Sequence, residues 1–116
     1  MRKLLALSLL SVAAFAADIT GTWKATVETD AGSGTPTFVF KQDGENLTGT
    51  YSGQLGEAKL TGTVHGNKVE WSFDASVGDD KATVTYSGTL DGDTKMKGTA
   101  QLGSLGKGTF TAEKQP

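Results

Sequence analysis

The residue types most often used in catalysis and metal binding are few in this chain and poorly grouped. His65 is the only histidine, and the alternation around it places its side chain on the outer face of a strand beside a turn. Asp79-Asp80 and Asp91-Gly92-Asp93 lack the spaced ligands and the bidentate Glu of an EF-hand, so turn chemistry explains them better than calcium binding. Ser and Thr are abundant, but no inward-facing His or Lys is in phase to activate one as a nucleophile. We therefore expect no enzyme, no metal site and no cofactor.

The stretch 46–64 shows the structural unit on which the rest of the chain is built. It contains two copies of Leu-Thr-Gly-Thr separated by a short turn. In each copy small or apolar residues alternate with hydroxyl residues, which is the pattern of a strand with one buried and one solvated face. The first copy places Leu47, Gly49 and Tyr51 on one face and Thr48, Thr50 and Ser52 on the other.

The N-terminus has the three parts of a secretory signal peptide. A basic start at Met1-Arg2-Lys3 precedes an apolar run over 4–15, and Ala14-Phe15-Ala16 fits the small-x-small rule for cleavage. The apolar run is shorter than the roughly 20 residues that a membrane span needs. We predict a signal peptide at 1–16 and a single domain at 17–116, secreted or periplasmic and free of the membrane after cleavage.

Composition narrows the range of partners. Without the signal, nine Lys oppose thirteen Asp and Glu, and no Arg remains. Nucleic-acid binding needs a basic surface and benefits from bidentate Arg contacts, so that class is disfavoured. With no Cys there is no disulfide, and about 100 residues allow one small domain held together by its core and sheet.

Eight strand-like segments of similar size follow one another, separated by Gly, Asp and Asn. They are 20–29, 35–42, 46–53, 58–65, 68–75, 81–90, 94–102 and 108–113. Connectors such as Gly66-Asn67 are tight-hairpin chemistry, so neighbouring segments should pair antiparallel. No segment shows a sustained helical period.

One apolar face can be traced through all eight segments, and Val39 is its main exception on the outer side. A sheet with one solvated face must curl to bury the other, and eight strands suit a closed barrel that is filled by side chains or holds one small ligand. We predict an all-β, eight-stranded antiparallel up-and-down β-barrel with meander topology, because closure also removes exposed edges. A flattened two-sheet sandwich is the alternative. The inward-facing residues are Trp23, Ala25, Val27, Phe38, Phe40, Leu47, Tyr51, Leu60, Val64, Val69, Trp71, Phe73, Ala82, Val84, Tyr86, Leu90, Met96, Ala100, Leu102, Phe110 and Ala112.

Five glycines on the inward phase each precede Thr and call for a shared explanation. One interpretation is sharp bending of the strands, which is a general use of glycine in small barrels. The other is that the glycines leave room for a ligand. The five are Gly49, Gly62, Gly88, Gly98 and Gly108.

Several short motifs, taken in order, resemble the avidin and streptavidin family. They are Asp18-Ile19-Thr20-Gly21-Thr22-Trp23, Leu47-Thr48-Gly49-Thr50-Tyr51, Val69-Glu70-Trp71, Thr85-Tyr86-Ser87-Gly88 and Thr109-Phe110-Thr111. The resemblance touches most of the chain after the signal and implies an eight-stranded up-and-down barrel.

The same resemblance implies a ligand site at the open end of the barrel. Its aromatic wall falls on Tyr51, Trp71 and Tyr86, with Trp23 nearby, and Thr29 matches a family Ser. The family's polar biotin contacts are replaced by Ala25, Gly53, Ala82, Val84 and Gly108. Polar groups that pair a ligand's own polar atoms are needed for tight recognition, so we do not expect biotin binding. No match to the Trp that a neighbouring subunit contributes in the family is present, and we expect a monomer.

Two functions remain open. The chain is either a binding module that holds a small apolar or aromatic ligand against Tyr51, Trp71 and Tyr86, or a protein-interaction or inhibitor domain that acts through its loops with a filled barrel.

Overall fold

The computed structural model describes residues 18–30, 32–77, 80–103 and 106–116. The predicted signal peptide and its cleavage site lie outside these residues, as does Asp79. Within the described ranges no helix has the length and apolarity that a membrane span requires.

The described residues form nine strands, eight of which correspond to the predicted segments with boundaries shifted by at most two residues. They are β1 (Gly21–Thr29), β2 (Gly32–Gly34), β3 (Thr37–Asp43), β4 (Asn46–Gly53), β5 (Gly56–His65), β6 (Lys68–Val77), β7 (Asp80–Asp91), β8 (Lys95–Leu102) and β9 (Lys107–Lys114).

The strands close into the predicted antiparallel barrel. From β3 to β9 each strand pairs with the next, and β1 joins β3 on one side and β9 on the other. The closing register runs from Trp23 opposite Lys114 to Thr29 opposite Gly108. This closure excludes the open two-sheet alternative, and it leaves none of the eight barrel strands with a free edge along its whole length.

Strand β2 is the element that the sequence did not predict. Its three residues pair with the last three of β1, Val27 opposite Gly34 through Thr29 opposite Gly32, where β1 has left β3. The interruption falls at Pro36, which has no N–H to donate to a ladder. The Pro36 carbonyl still accepts a 3.0 Å hydrogen bond from Ala25 N. A Gly-Ser-Gly sequence has low strand propensity, so local pattern gave no signal for this strand.

The predicted inward face is the core. All its members are buried except Ala82 and Leu102, which are half-buried. Ile19 and Ala75 are also buried and were not predicted, whereas Val39 is 46% exposed, as expected. The predicted turn glycines adopt the left-handed backbone that tight hairpins need, with φ of +66° at Gly44 and +62° at Gly66.

The inward glycines are explained by close approach between strands. At four of them a Cβ would overlap a carbonyl oxygen of the neighbouring strand; these are Gly49, Gly62, Gly98 and Gly108. At Gly88 a Cβ would stand 2.9 Å from Met96 Sδ and from Phe110 Cζ. Backbone or core side chains already fill the space at each position, so the glycines do not open a ligand chamber. That they serve sharp bending of the strands stays a prediction.

Candidate functional site

A cavity of about 200 Å³ opens at the end of the barrel where β1, β4 and β8 finish. We call it the mouth cavity. Tyr51 and Tyr86 belong to its lining together with an apolar group of side chains and a polar group. The apolar group is Val27, Pro36, Leu55, Val84 and Leu102. The polar group is Thr29, Ser33, Thr35 and Gln54, and Gly32 and Gly34 complete the lining.

Tyr51 is fixed at the mouth by contacts on both ends of its side chain. Its ring stacks on Phe73 with a centroid distance of 4.3 Å and an interplanar angle of 18°. Its hydroxyl oxygen accepts a 3.2 Å hydrogen bond from Leu55 N in the β4–β5 turn. The tyrosine therefore ties the turn to the core and sets the position of one side of the cavity.

Tyr86 is only 4% exposed, and its hydroxyl makes no hydrogen bond to a described residue. The oxygen is not among the buried polar atoms that lack a partner, so it reaches the solvent in the mouth. Burial raises the pKa of this phenol well above its ordinary value, and the neighbouring Tyr51 adds a smaller increase to the same pKa. The phenol is therefore protonated at neutral pH and has a proton to donate.

Trp71 lies against Tyr86 and outside the lining of the mouth cavity. The two rings stack at 5.1 Å with an interplanar angle of 4°, and Phe40 meets the indole edge-on at 4.9 Å. Trp71 is 1% exposed, and its Nε1 is a buried donor without an acceptor in the described part of the chain. Such a donor destabilises the fold by about 1–3 kcal/mol.

The remaining two predicted site residues are far apart. Thr29 lines the mouth cavity, and its hydroxyl donates to Gly32 O at 3.0 Å, which holds the turn between β1 and β2. Trp23 lies toward the opposite end of β1, where its Nε1 donates to Ile19 O at 2.9 Å. Three of the five predicted residues line the cavity: Tyr51, Tyr86 and Thr29. Trp71 packs against Tyr86 on the side away from the cavity, and Trp23 is a core residue distant from it.

Sequence reasoning missed the lining residues that come from turns. Gln54 and Leu55 lie between the predicted segments 46–53 and 58–65, and Pro36 lies within 35–42 but was not placed on its inward face, so a face traced along strands does not include them. Leu55 carried a signal nonetheless, because it is a large apolar residue between the glycines of a tight turn. It is half-buried and packs against the core.

Charge is absent from the described lining of the mouth cavity. His65 lies at the other end of the barrel, exposed on the outer face as predicted, with its Nδ1 2.8 Å from Glu45 Oε2. No group of three or more potential metal ligands occurs among the described residues. Two larger depressions, of about 690 and 400 Å³, lie over the outer wall. Both include Lys, Glu and Thr side chains that project into solvent, and no Phe, Tyr or Trp ring belongs to the described lining of either.

Fold and cavity together define a small antiparallel up-and-down β-barrel with an aromatic interior and a mouth cavity whose described lining carries no charge. No family model and no curated protein matches the chain. Among solved structures it is similar to a redesigned β-barrel, b11L5F_LGL, with a TM-score of 0.68 and 20% identity over 84% of this chain and 92% of that one. It is also similar to a second redesigned β-barrel, mFAP1, solved bound to DFHBI, with a TM-score of 0.61 and 18% identity over 84% of this chain and 94% of that one. These similarities establish the fold, and the avidin resemblance stays a prediction.

Proposed function

We propose that this chain is an exported, monomeric β-barrel binding module that holds a small apolar or aromatic molecule in the mouth cavity. The observation that carries the proposal is the cavity itself, a pocket at one end of the barrel that two buried tyrosines line and whose described lining carries no charge. Concave apolar pockets with a few placed polar groups are the usual form of small-molecule sites. The structural similarity to mFAP1 supports the same reading, because that barrel binds DFHBI.

Export is part of this proposal and is supported by sequence. The basic start, the apolar run over 4–15 and Ala14-Phe15-Ala16 are the pattern of a cleaved signal, which would deliver the barrel to the periplasm or the medium. A binding role without catalysis is supported by the position of His65, which pairs with Glu45 at the end of the barrel away from the cavity.

Native mass spectrometry of the protein from its exported compartment tests the proposal directly. A monomer carrying an added small mass is the expected result. N-terminal sequencing of the same sample is expected to begin at Ala17. A tetramer would contradict the monomer, and an N-terminus that retains the apolar run would contradict export by cleavage.

Tryptophan fluorescence locates the bound molecule. Trp71 stacks on Tyr86 beneath the mouth cavity, whereas Trp23 lies near the opposite end. Titration with small uncharged aromatic compounds should therefore change the emission of a Trp23→Phe protein, in which Trp71 is the only reporter. The Trp71→Phe protein is the matched control and should respond less. Leu102→Trp, which fills the mouth, should abolish the response while circular dichroism shows that the barrel persists.

The filled interior favours a second candidate, a protein-interaction or inhibitor domain. Below the mouth, Tyr51, Phe73, Tyr86 and Trp71 are stacked in sequence across the barrel, and Phe38 packs against all four rings. An added protein mass in the native spectrum, lost on substitution within 30–35 or 77–81, would support this candidate over the first.

A further inference from the structure

We propose that the mouth cavity selects uncharged aromatic molecules bearing a hydrogen-bond acceptor, such as an aryl ketone, whose oxygen accepts the proton of the Tyr86 hydroxyl. The inference rests on the proposed function and names the class of ligand that the cavity takes. It is carried by three features of the described residues: a phenol hydroxyl in the cavity lining that donates to no described residue, a lining without charge, and a small volume.

The Tyr86 hydroxyl sets the polar requirement. Tyr86 is 96% removed from solvent and lines the cavity, but no described residue accepts its proton. Tyr51 differs, because its oxygen is already used as the acceptor for Leu55 N. The Tyr86 oxygen is not among the buried polar atoms without a partner, so it keeps contact with solvent in the mouth. A ligand oxygen would therefore replace water as its acceptor, in a site that is less polar than water, and the net gain of such an exchange is about two- to tenfold in affinity, or about 0.5–1.5 kcal/mol. The raised pKa of Tyr86 keeps this group a neutral donor across the physiological range.

The lining sets the charge requirement. None of the described side chains that line the cavity is ionisable at neutral pH. A carboxylate or ammonium group placed among Val27, Val84 and Leu102 would lose its hydration without gaining an opposite charge, which is strongly unfavourable. A neutral acceptor such as a carbonyl oxygen loses far less and gains the Tyr86 hydrogen bond.

The volume and the neighbouring rings set the shape. A cavity of about 200 Å³ is smaller than the sites of about 300–1,000 Å³ that hold drug-sized ligands. It suits one aromatic ring with a short substituent. Tyr51 and Tyr86 belong to a set of roughly parallel rings, with interplanar angles to Phe73 of 18° and 23°. A flat ligand can extend this set by offset stacking.

Three compounds of similar shape separate these requirements: acetophenone, ethylbenzene and benzoate. Dissociation constants are measured by NMR titration, following the backbone amides of 51–55 and 84–86. Ethylbenzene is the more hydrophobic ligand, so the two dissociation constants cannot be compared directly. The decisive quantity is the dissociation constant of acetophenone divided by that of ethylbenzene, measured once in the parent protein and once in the Tyr86→Phe protein. We expect loss of the hydroxyl to shift that ratio against acetophenone by about two- to tenfold. Benzoate should bind more weakly than acetophenone by more than about tenfold.

A direct readout avoids reliance on the variant. The infrared carbonyl stretch of acetophenone bound to the parent protein should lie at lower wavenumber than in hexane, since a donated hydrogen bond weakens the C=O bond. A stretch at the hexane position, or a ratio unchanged by Tyr86→Phe, overturns the role of Tyr86 while the binding module stands. Benzoate binding as tightly as acetophenone overturns the charge requirement. If none of the three compounds binds, the proposed function fails and this inference fails with it.

Discussion

Replacing Gly62 with Ala tests the tight approach of strands on which the barrel depends. A Cβ at this position would overlap the carbonyl oxygen of Glu70 and stand 2.7 Å from Trp71 Cα and 2.8 Å from Trp71 Cβ. Non-bonded carbon atoms normally stay about 3.5–4.0 Å apart. The obstructing atoms belong mainly to the backbone of β6, so no rotamer change relieves them, and β5 and β6 would have to separate by roughly 1 Å.

The expected loss of stability follows from that geometry. Overpacking typically costs about 1–3 kcal/mol, and a clash with a paired strand belongs at the upper end, near 3 kcal/mol. In a domain of this size such a loss lowers Tm by about 12–24 °C. Urea unfolding followed by circular dichroism measures the change, with an unchanged m-value showing that stability alone has altered.

Gly34→Ala is the matched control for this substitution. A Cβ at Gly34 would lie 3.5 Å from Gln54 Oε1, an ordinary contact, and its backbone is outside the left-handed region. We expect this variant to be as stable as the parent or up to about 1 kcal/mol more stable, because Ala restricts the unfolded chain. A Gly62→Ala protein within about 0.5 kcal/mol of the parent would refute the close-approach account of the inward glycines.

Three further predictions concern individual side chains. Trp23→Phe should cost about 1–3 kcal/mol more than Trp71→Phe in urea unfolding, because the first removes a satisfied indole hydrogen bond and the second an unsatisfied donor; equal costs would contradict this. The raised folded-state pKa of Tyr86 gives stability that is fully present below about pH 10 and is lost as pH rises toward the folded value, by up to about 1.4 kcal/mol per pH unit. In the Tyr86→Phe protein the urea midpoint should fall less steeply with rising pH above about pH 10 than in the parent. An equal fall in both proteins would contradict the role given to Tyr86. His65→Ala should change the free energy of unfolding by less than about 1 kcal/mol, since its pair with Glu45 is exposed; thermal unfolding at pH 7 measures it, and a larger loss would show that the pair matters more than its exposure indicates.

The strands were predictable because the information that specifies them is local. Alternation with a period of two places Leu47 and Tyr51 inward and Thr48 outward whatever the rest of the chain does. The hairpins at Gly44 and Gly66 were predictable for the same reason, since the required left-handed backbone is a property of one residue. These local signals recovered the eight barrel strands and all but two of the buried hydrophobic residues that the structure describes.

The candidate site was predictable only in part. Aromatic residues on the inward face were correctly grouped, and Trp71 does stack on Tyr86. The sequence did not reveal the position of each aromatic residue along the barrel axis. It could not show that Tyr86 reaches the mouth while Trp23 lies near the other end. The position along the barrel axis depends on the stagger between strands, which is fixed by hydrogen bonds between residues far apart in the chain.

The sequence by itself therefore determined which residues form strands, which side of each strand is buried, and where the chain turns. Tertiary structure decided the pairing of β1 with β9, the pairing of β2 with the end of β1, and the strand stagger that brings Tyr86 into one cavity lining with Leu55 and Pro36. The physical reason is the distance along the chain over which each interaction acts. Side-chain alternation and turn conformation are set within a few residues, whereas a cavity is the space left after every strand has met its neighbours.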